Sequence, residues 1–181
     1  MTDGGIPKKR RGPILTHFID PKLRKGFRHY LLQSLTATAL CFIMLISLDV
    51  VVPGAVVASL GASTFIVFVG PHSRAARPRN LLGGQLIGTG TGMACSRLLQ
   101  LCLFSGLIGQ QMEIAIFGSI AVGLAILLMV MIDMEHPPAA GTALSLVVSK
   151  WSIYSIAFIG GATIFLAVVR IALGKRLRDL Y

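Results

Sequence analysis

Asp133-Met134-Glu135-His136-Pro137-Pro138-Ala139-Ala140-Gly141-Thr142-Ala143 places three ionisable side chains and two prolines between hydrophobic blocks. Neither proline ring carries an N–H, so a helix arriving from residue 132 must stop here, and a new one can start at Pro137 or Pro138. A restarted helix within a membrane presents the positive end of its dipole. An ionisable group held near hydrocarbon costs several kcal/mol unless paired or wetted, so it marks an ion or substrate path.

The rest of the chain supplies the membrane. Of 181 residues, 54% are apolar and 13% charged. The apolar residues form blocks near 30–49, 53–70, 81–104, 112–132, 137–149 and 152–173, and about 20 helical residues cross a hydrocarbon core of roughly 30 Å. The fold class expected is all-α: a polytopic membrane protein of about six transmembrane or half-membrane helices in one domain. The fifth block spans only about 20 Å at 1.5 Å per residue, so it is a half-length or sheltered helix. Residues 1–29 are polar and basic where a cleavable signal would need an apolar core. They form a basic N-terminal segment, either interfacial or disordered. A transmembrane domain follows over 30–173, and a basic tail over 174–181.

The net charge of +10 does not point to nucleic acid, because the basic residues flank membrane segments. Lys8, Lys9, Arg10, Arg11, Lys22, Arg24, Lys25 and Arg28 precede the first block, Arg74, Arg77 and Arg79 follow the second, and Lys175, Arg176 and Arg178 follow the last. The positive-inside rule puts all three places, and both termini, in the cytoplasm, with anionic lipid headgroups as partners. A bacterial inner membrane is the simplest home. Cys41, Cys95 and Cys102 lie in apolar blocks and read as small hydrophobes.

Laying residue i over i+84 matches Asp49 to Asp133, Pro53 to Pro137, Ala55 to Ala139 and Leu60 to Leu144. Beyond the 71–80 loop a shift of 73 matches Gly88 to Gly161, Ala94 to Ala167 and Arg97 to Arg170. Three crossings per half would make a 3+3 inverted repeat. Gly84, Gly88 and Gly92, four apart, form a close-packing face whose partner is another helix of the chain or a second subunit of a homo-oligomer.

Several residues carry two readings. Asp49, Asp133 and Glu135 stand before proline-started helices, where a carboxylate caps the helix or relays a proton. His136 is a hydrogen-bonded structural residue or a proton carrier. Pro53-Gly54 is a loop turn or a second positive helix start. Ser63, Thr64 and Thr142 bond to neighbouring helices or line a substrate path. Arg97 and Arg170 snorkel, or act as cations at the two mouths. Neighbouring Asp133, Glu135 and His136 offer no convergent metal geometry, no cofactor is implied, and the hydrolase, zinc-protease and phosphate-loop motifs of enzymes are missing.

His136-Pro137-Pro138 followed by Ala139-Ala140-Gly141-Thr142-Ala143, with Gly61-Ala62-Ser63, Gly70-Pro71 and Arg77-Pro78-Arg79-Asn80 leading into Gly83-Gly84, resembles the HPP family of integral membrane proteins over residues 30–173. Some plant-chloroplast and cyanobacterial members are associated with nitrite transport, so the resemblance implies a carrier or channel for a small inorganic anion. In the family pattern threonines precede the tripeptide and glycine follows its first alanine, whereas this chain has Asp133, Glu135 and Ala140 there. Two ionised carboxylates beside the site would repel an anion by a few kcal/mol. The alternatives are a cation or proton pathway lined by Asp49, Asp133 and Glu135, and a non-transporting scaffold assembled through the glycine face.

Overall fold

A computed structural model describes residues 21–46, 52–101 and 109–180 of the chain. Asp49, Cys102 and the basic cluster at Lys8–Arg11 lie outside these residues. Among them the chain is all helical: α1 (Pro21–Ile46), α2 (Gly54–Val69), a single 3-10 turn at Arg74–Ala76, α3 (Pro78–Leu101), α4 (Gln110–Met131), α5 (Pro138–Val148) and α6 (Ile153–Leu173). The first helix starts at Pro21 rather than near residue 30, because the proline suits a first turn and no further proline interrupts the polar stretch before the apolar run begins.

Hydrophobic residues turn outward along every helix, Leu86 and Leu98 of α3, Leu127 and Val130 of α4, and Ile153 and Ile171 of α6 among them. Many buried positions are small or polar, as suits lipid-embedded bundles with no hydrophobic drive between helices, and Leu60, Leu81, Leu146, Ile159 and Leu166 fill the rest of the core. Helices α4 and α6 are each long and apolar enough to cross a membrane, while α2 and α5 are shorter apolar helices. α5 inserts between α3 and α4.

Gly84, Gly88 and Gly92 let that insertion happen. A Cβ at Gly88 would run into the Ala139 carbonyl, and one at Gly92 would lie 2.7 Å from the Ala143 oxygen. Helices α3 and α5 therefore touch backbone to backbone, and the partner of the glycine face is another helix of the same chain. Around this seam Cys95, Ala121, Ala125, Met129, Ala139, Ala143 and Val147 form one core cluster.

Helices α2 and α5 run antiparallel. Ser59 of α2 meets Pro138 and Thr142, and Ser63, one turn on, meets His136. The proline-started helices thus enter from opposite ends of the bundle. The α2–α3 and α4–α5 connections and the segment after α6 share one end. There Arg170 Nε donates to Pro71 O at 2.7 Å, Leu180 N to Val69 O at 2.9 Å, and the Gln33 amide of α1 to Phe68 O and Arg178 O. The C-terminal segment is therefore pinned across this basic end.

Candidate functional site

Helix α4 ends in a Schellman motif. Asp133 N donates to Val130 O at 3.3 Å and Met134 N to Met129 O at 2.9 Å, with Asp133 in the left-handed region at φ 54°. Aspartate tolerates this conformation better than most residues. The turn throws the Asp133 carboxylate outward onto Arg74 at 2.6 Å and Arg79 at 3.8 Å. The capping expected of Asp133 and Glu135 does not occur: the cap position of α5 is Pro137, and no side chain bonds to the helix start. The Schellman turn aims Asp133 away, and Glu135 is engaged through its backbone oxygen, which accepts from Asn80 Nδ2 at 3.3 Å.

The same turn drives His136 inward until it is fully buried. Its Nδ1 lies 2.9 Å from Ala75 O, and its Nε2 lies 2.9 Å from Ser63 Oγ. A carbonyl only accepts, so Nδ1 carries the proton and Nε2 of the neutral ring accepts from the Ser63 hydroxyl. Burial pushes the imidazole below its ordinary range, and the bond to Ala75 pulls the other way. Ser63 Oγ also lies 3.2 Å from Ser59 O. If the ring gains a proton, Nε2–H can donate to Ser63 while Ser63 turns its own proton to Ser59 O. Both charge states are thereby satisfied.

Beside His136 runs a second polar group. Ser59 Oγ donates to Pro138 O at 2.6 Å and sits 2.6 Å from Thr142 Oγ1, which is 2.9 Å from Gln85 Oε1 of α3. Gln85 is 2% exposed, and its Nε2 has no partner among the described residues. Two hydroxyl protons serve three oxygen–oxygen contacts here, so the amide of Gln85 can also turn over and donate to Thr142. In either orientation one edge of a buried amide is left open, which costs about 1–3 kcal/mol in a finished core.

The sequence-derived site residues are thus only partly assembled. Ser63, His136, Pro138 and Thr142 converge, with Pro137 at the rim. Thr64 bonds back to Leu60 O of its own helix at 3.0 Å. Pro53 and Gly54 start α2 at the far end, so the two positive helix starts do not face one another. The α5 start also offers little backbone to a ligand: two positions are prolines, and the N–H groups of Ala139 and Ala140 donate to His136 O at 2.9 Å and Pro137 O at 3.1 Å. Arg97 stands at the far end over the Trp151 ring at 5.1 Å, whereas Arg170 is at the basic end.

Ser59, Gln85 and Glu113 were missed by the sequence reading. Each had a signal: Ser59 precedes Ser63 by one helical turn, Gln85 is an amide within an apolar block, and Glu113 is the single acid of the block at 112–132.

The sequence matches a family model described as HPP, transmembrane region, over residues 23–177. No curated protein and no solved structure matches.

Proposed function

Because the chain belongs to the HPP transmembrane family and is an integral membrane protein, we propose that it is a transporter or channel for a small inorganic anion, nitrite first among them. The observation that carries this reading is the open amide edge of Gln85, buried beside His136, Ser59, Ser63 and Thr142 where α2, α3 and α5 meet. An anion of a few atoms needs donors, and the amide N–H and the hydroxyls supply them without a fixed buried cation. Their arrival turns the Gln85 NH2 toward the anion.

His136 supplies charge on demand. Its protonation adds a positive charge beside the anion, and the Ser63 rotor lets that happen with no hydrogen bond lost, so anion and proton move together. Asp133 does not oppose this: it is exposed and paired with Arg74 and Arg79. Those arginines, with Arg77, Lys175 and Arg176, make the end nearest His136 basic, which draws anions and binds anionic lipid. By the positive-inside rule this end is cytoplasmic, in a bacterial inner membrane, with both termini there. The antiparallel α2 and α5, each entered through a proline cap at Pro53 and Pro137, are the central pair of a 3+3 inverted repeat.

The alternative readings have less support. Asp133 turns away from the cluster onto arginine, so it does not line a cation path with Glu135. The glycine face of Gly84, Gly88 and Gly92 is covered by α5 and is not free to assemble subunits.

Reconstituted liposomes test the reading. Nitrite entry should exceed chloride, formate and sodium entry, rise as pH falls below the ordinary histidine range, since burial holds His136 low, and drop at least tenfold in Gln85→Leu and Pro138→Leu. His136→Ala should remove the pH dependence. Sodium or proton flux alone would favour a cation path, and no flux from folded protein would end the transport reading.

A further inference from the structure

At the end of the bundle opposite His136, α5 stops short. It has 11 residues against 24 in α3 and 22 in α4, a deficit of roughly 16 Å of helix at 1.5 Å per residue. Between the overhanging ends of α3 and α4, roofed by Lys150 and Trp151, lies a cavity of about 870 Å³. Its lining mixes polar and apolar side chains, Ser96 and Gln110 with Leu99 and Val147.

Glu113 of α4 lines this cavity and is 8% exposed, and its Oε1 has no hydrogen-bond partner among the described residues. Among the described residues no cation lies within ion-pair distance of it. The carboxylate does not serve as a helix cap, since no side chain caps α4 and Glu113 N already donates to Gly109 O at 3.2 Å. A buried, unpaired carboxylate costs several kcal/mol, a cost that a donor-bearing cation arriving from outside removes.

The chemistry narrows that cation. Glu113 has no cluster of further carboxylate, histidine or cysteine ligands around it among the described residues, so nothing builds a metal site there. A volume of this size suits an organic molecule of several heavy atoms, and the apolar walls favour a short hydrocarbon part. Trp151 is a fixed wall: its indole N–H donates to Ser96 Oγ at 3.0 Å and its ring carries Arg97. Lys150 is exposed at the rim, so its charge is screened by solvent. We propose that this cavity binds a small organic cation with a primary ammonium group, Glu113 serving as its counter-ion.

Trp151 is the single tryptophan of the chain, which makes its fluorescence a local reporter. Full-length protein in nanodiscs of zwitterionic lipid is titrated with n-butylammonium, and with n-butanol and n-butyrate as near-isosteres. Saturable fluorescence change with butylammonium, at least tenfold weaker in affinity or absent with the other two, is expected. Glu113→Gln should weaken butylammonium at least tenfold, Glu113→Asp less, and Asp179→Asn, which removes a carboxylate at the opposite end, not at all. Circular dichroism shows whether each variant is folded, and the Asp variant keeps the test valid if the Gln variant is not. Equal response to all three probes, preference for butyrate, no saturable response, or unchanged affinity without the Glu113 charge would each overturn the proposal. None of these readouts involves nitrite, so this inference and the transport reading fail separately.

Discussion

Gly92→Ala tests the seam on which the fold rests. A Cβ there would lie 2.7 Å from Ala143 O, 2.9 Å from Ala143 Cα and 3.0 Å from Leu146 Cβ, where ordinary contact begins at 3.4 Å. Two of the three obstacles are backbone and the third, Leu146 Cβ, is bound directly to it, so no side-chain rotation relieves the clash. Helices α3 and α5 must separate by about 0.7 Å, and a gap of 0.5–1 Å already forfeits a quarter to a half of each dispersion contact along the seam. Overpacking of this kind costs about 1–3 kcal/mol. Gly90 lies two residues away on the same helix with nothing within 4 Å of its added Cβ, so Gly90→Ala reports the intrinsic gain of alanine in a helix, up to about 1 kcal/mol. Thermal unfolding of both variants in the same detergent should separate them by about 4–8 °C, Gly92→Ala the lower, for a difference near 2 kcal/mol in a chain of this size. Equal midpoints would refute the close backbone contact and with it the register of α3 on α5.

Three more outcomes follow from the same coordinates. Burial holds His136 below its ordinary range, so as pH falls from about 7 to 5 the unfolded chain takes up a proton that the folded chain refuses; stability should fall with pH in that window, and His136→Gln should flatten the slope measured by denaturant titration. Asp133 sits at φ 54°, so Asp133→Val should unfold more easily than Asp133→Gly by about 1–2 kcal/mol, since both lose the exposed Arg74 pair and only the β-branched residue resists the left-handed conformation; identical stabilities would dismiss the Schellman turn. Gln33, 6% exposed, bonds to Phe68 O and to both backbone groups of Arg178, so Gln33→Leu should cost about 1–3 kcal/mol and speed tryptic cleavage at Lys175 and Arg176; an unchanged cleavage rate would mean that the tail is held elsewhere.

Much of this protein was legible before any coordinates. Apolar block lengths gave six helices and a short fifth one, because crossing hydrocarbon sets a minimum length. The double proline marked the start of α5, because a residue without N–H cannot continue a helix. Gly84, Gly88 and Gly92 announced close packing, because only glycine admits a backbone at that distance. Which helix packs there was not legible, since spacing describes one face and says nothing about its partner. Nor was the fate of Asp133: sequence adjacency to a proline start suggested a cap, whereas the Schellman turn at the end of α4 rotates the carboxylate to Arg74, 59 residues away. The buried cluster is a product of tertiary structure too. Ser59, Ser63, Gln85, His136 and Thr142 come from three helices and a connection, and only the antiparallel packing of α2 on α5, with α3 pressed close by its glycines, brings Ser63 within 3 Å of His136, Ser59 within 3 Å of Thr142, and Thr142 within 3 Å of Gln85. Length, charge and backbone chemistry are local and can be read along the chain; convergence of side chains depends on how the helices pack, and no single segment encodes it.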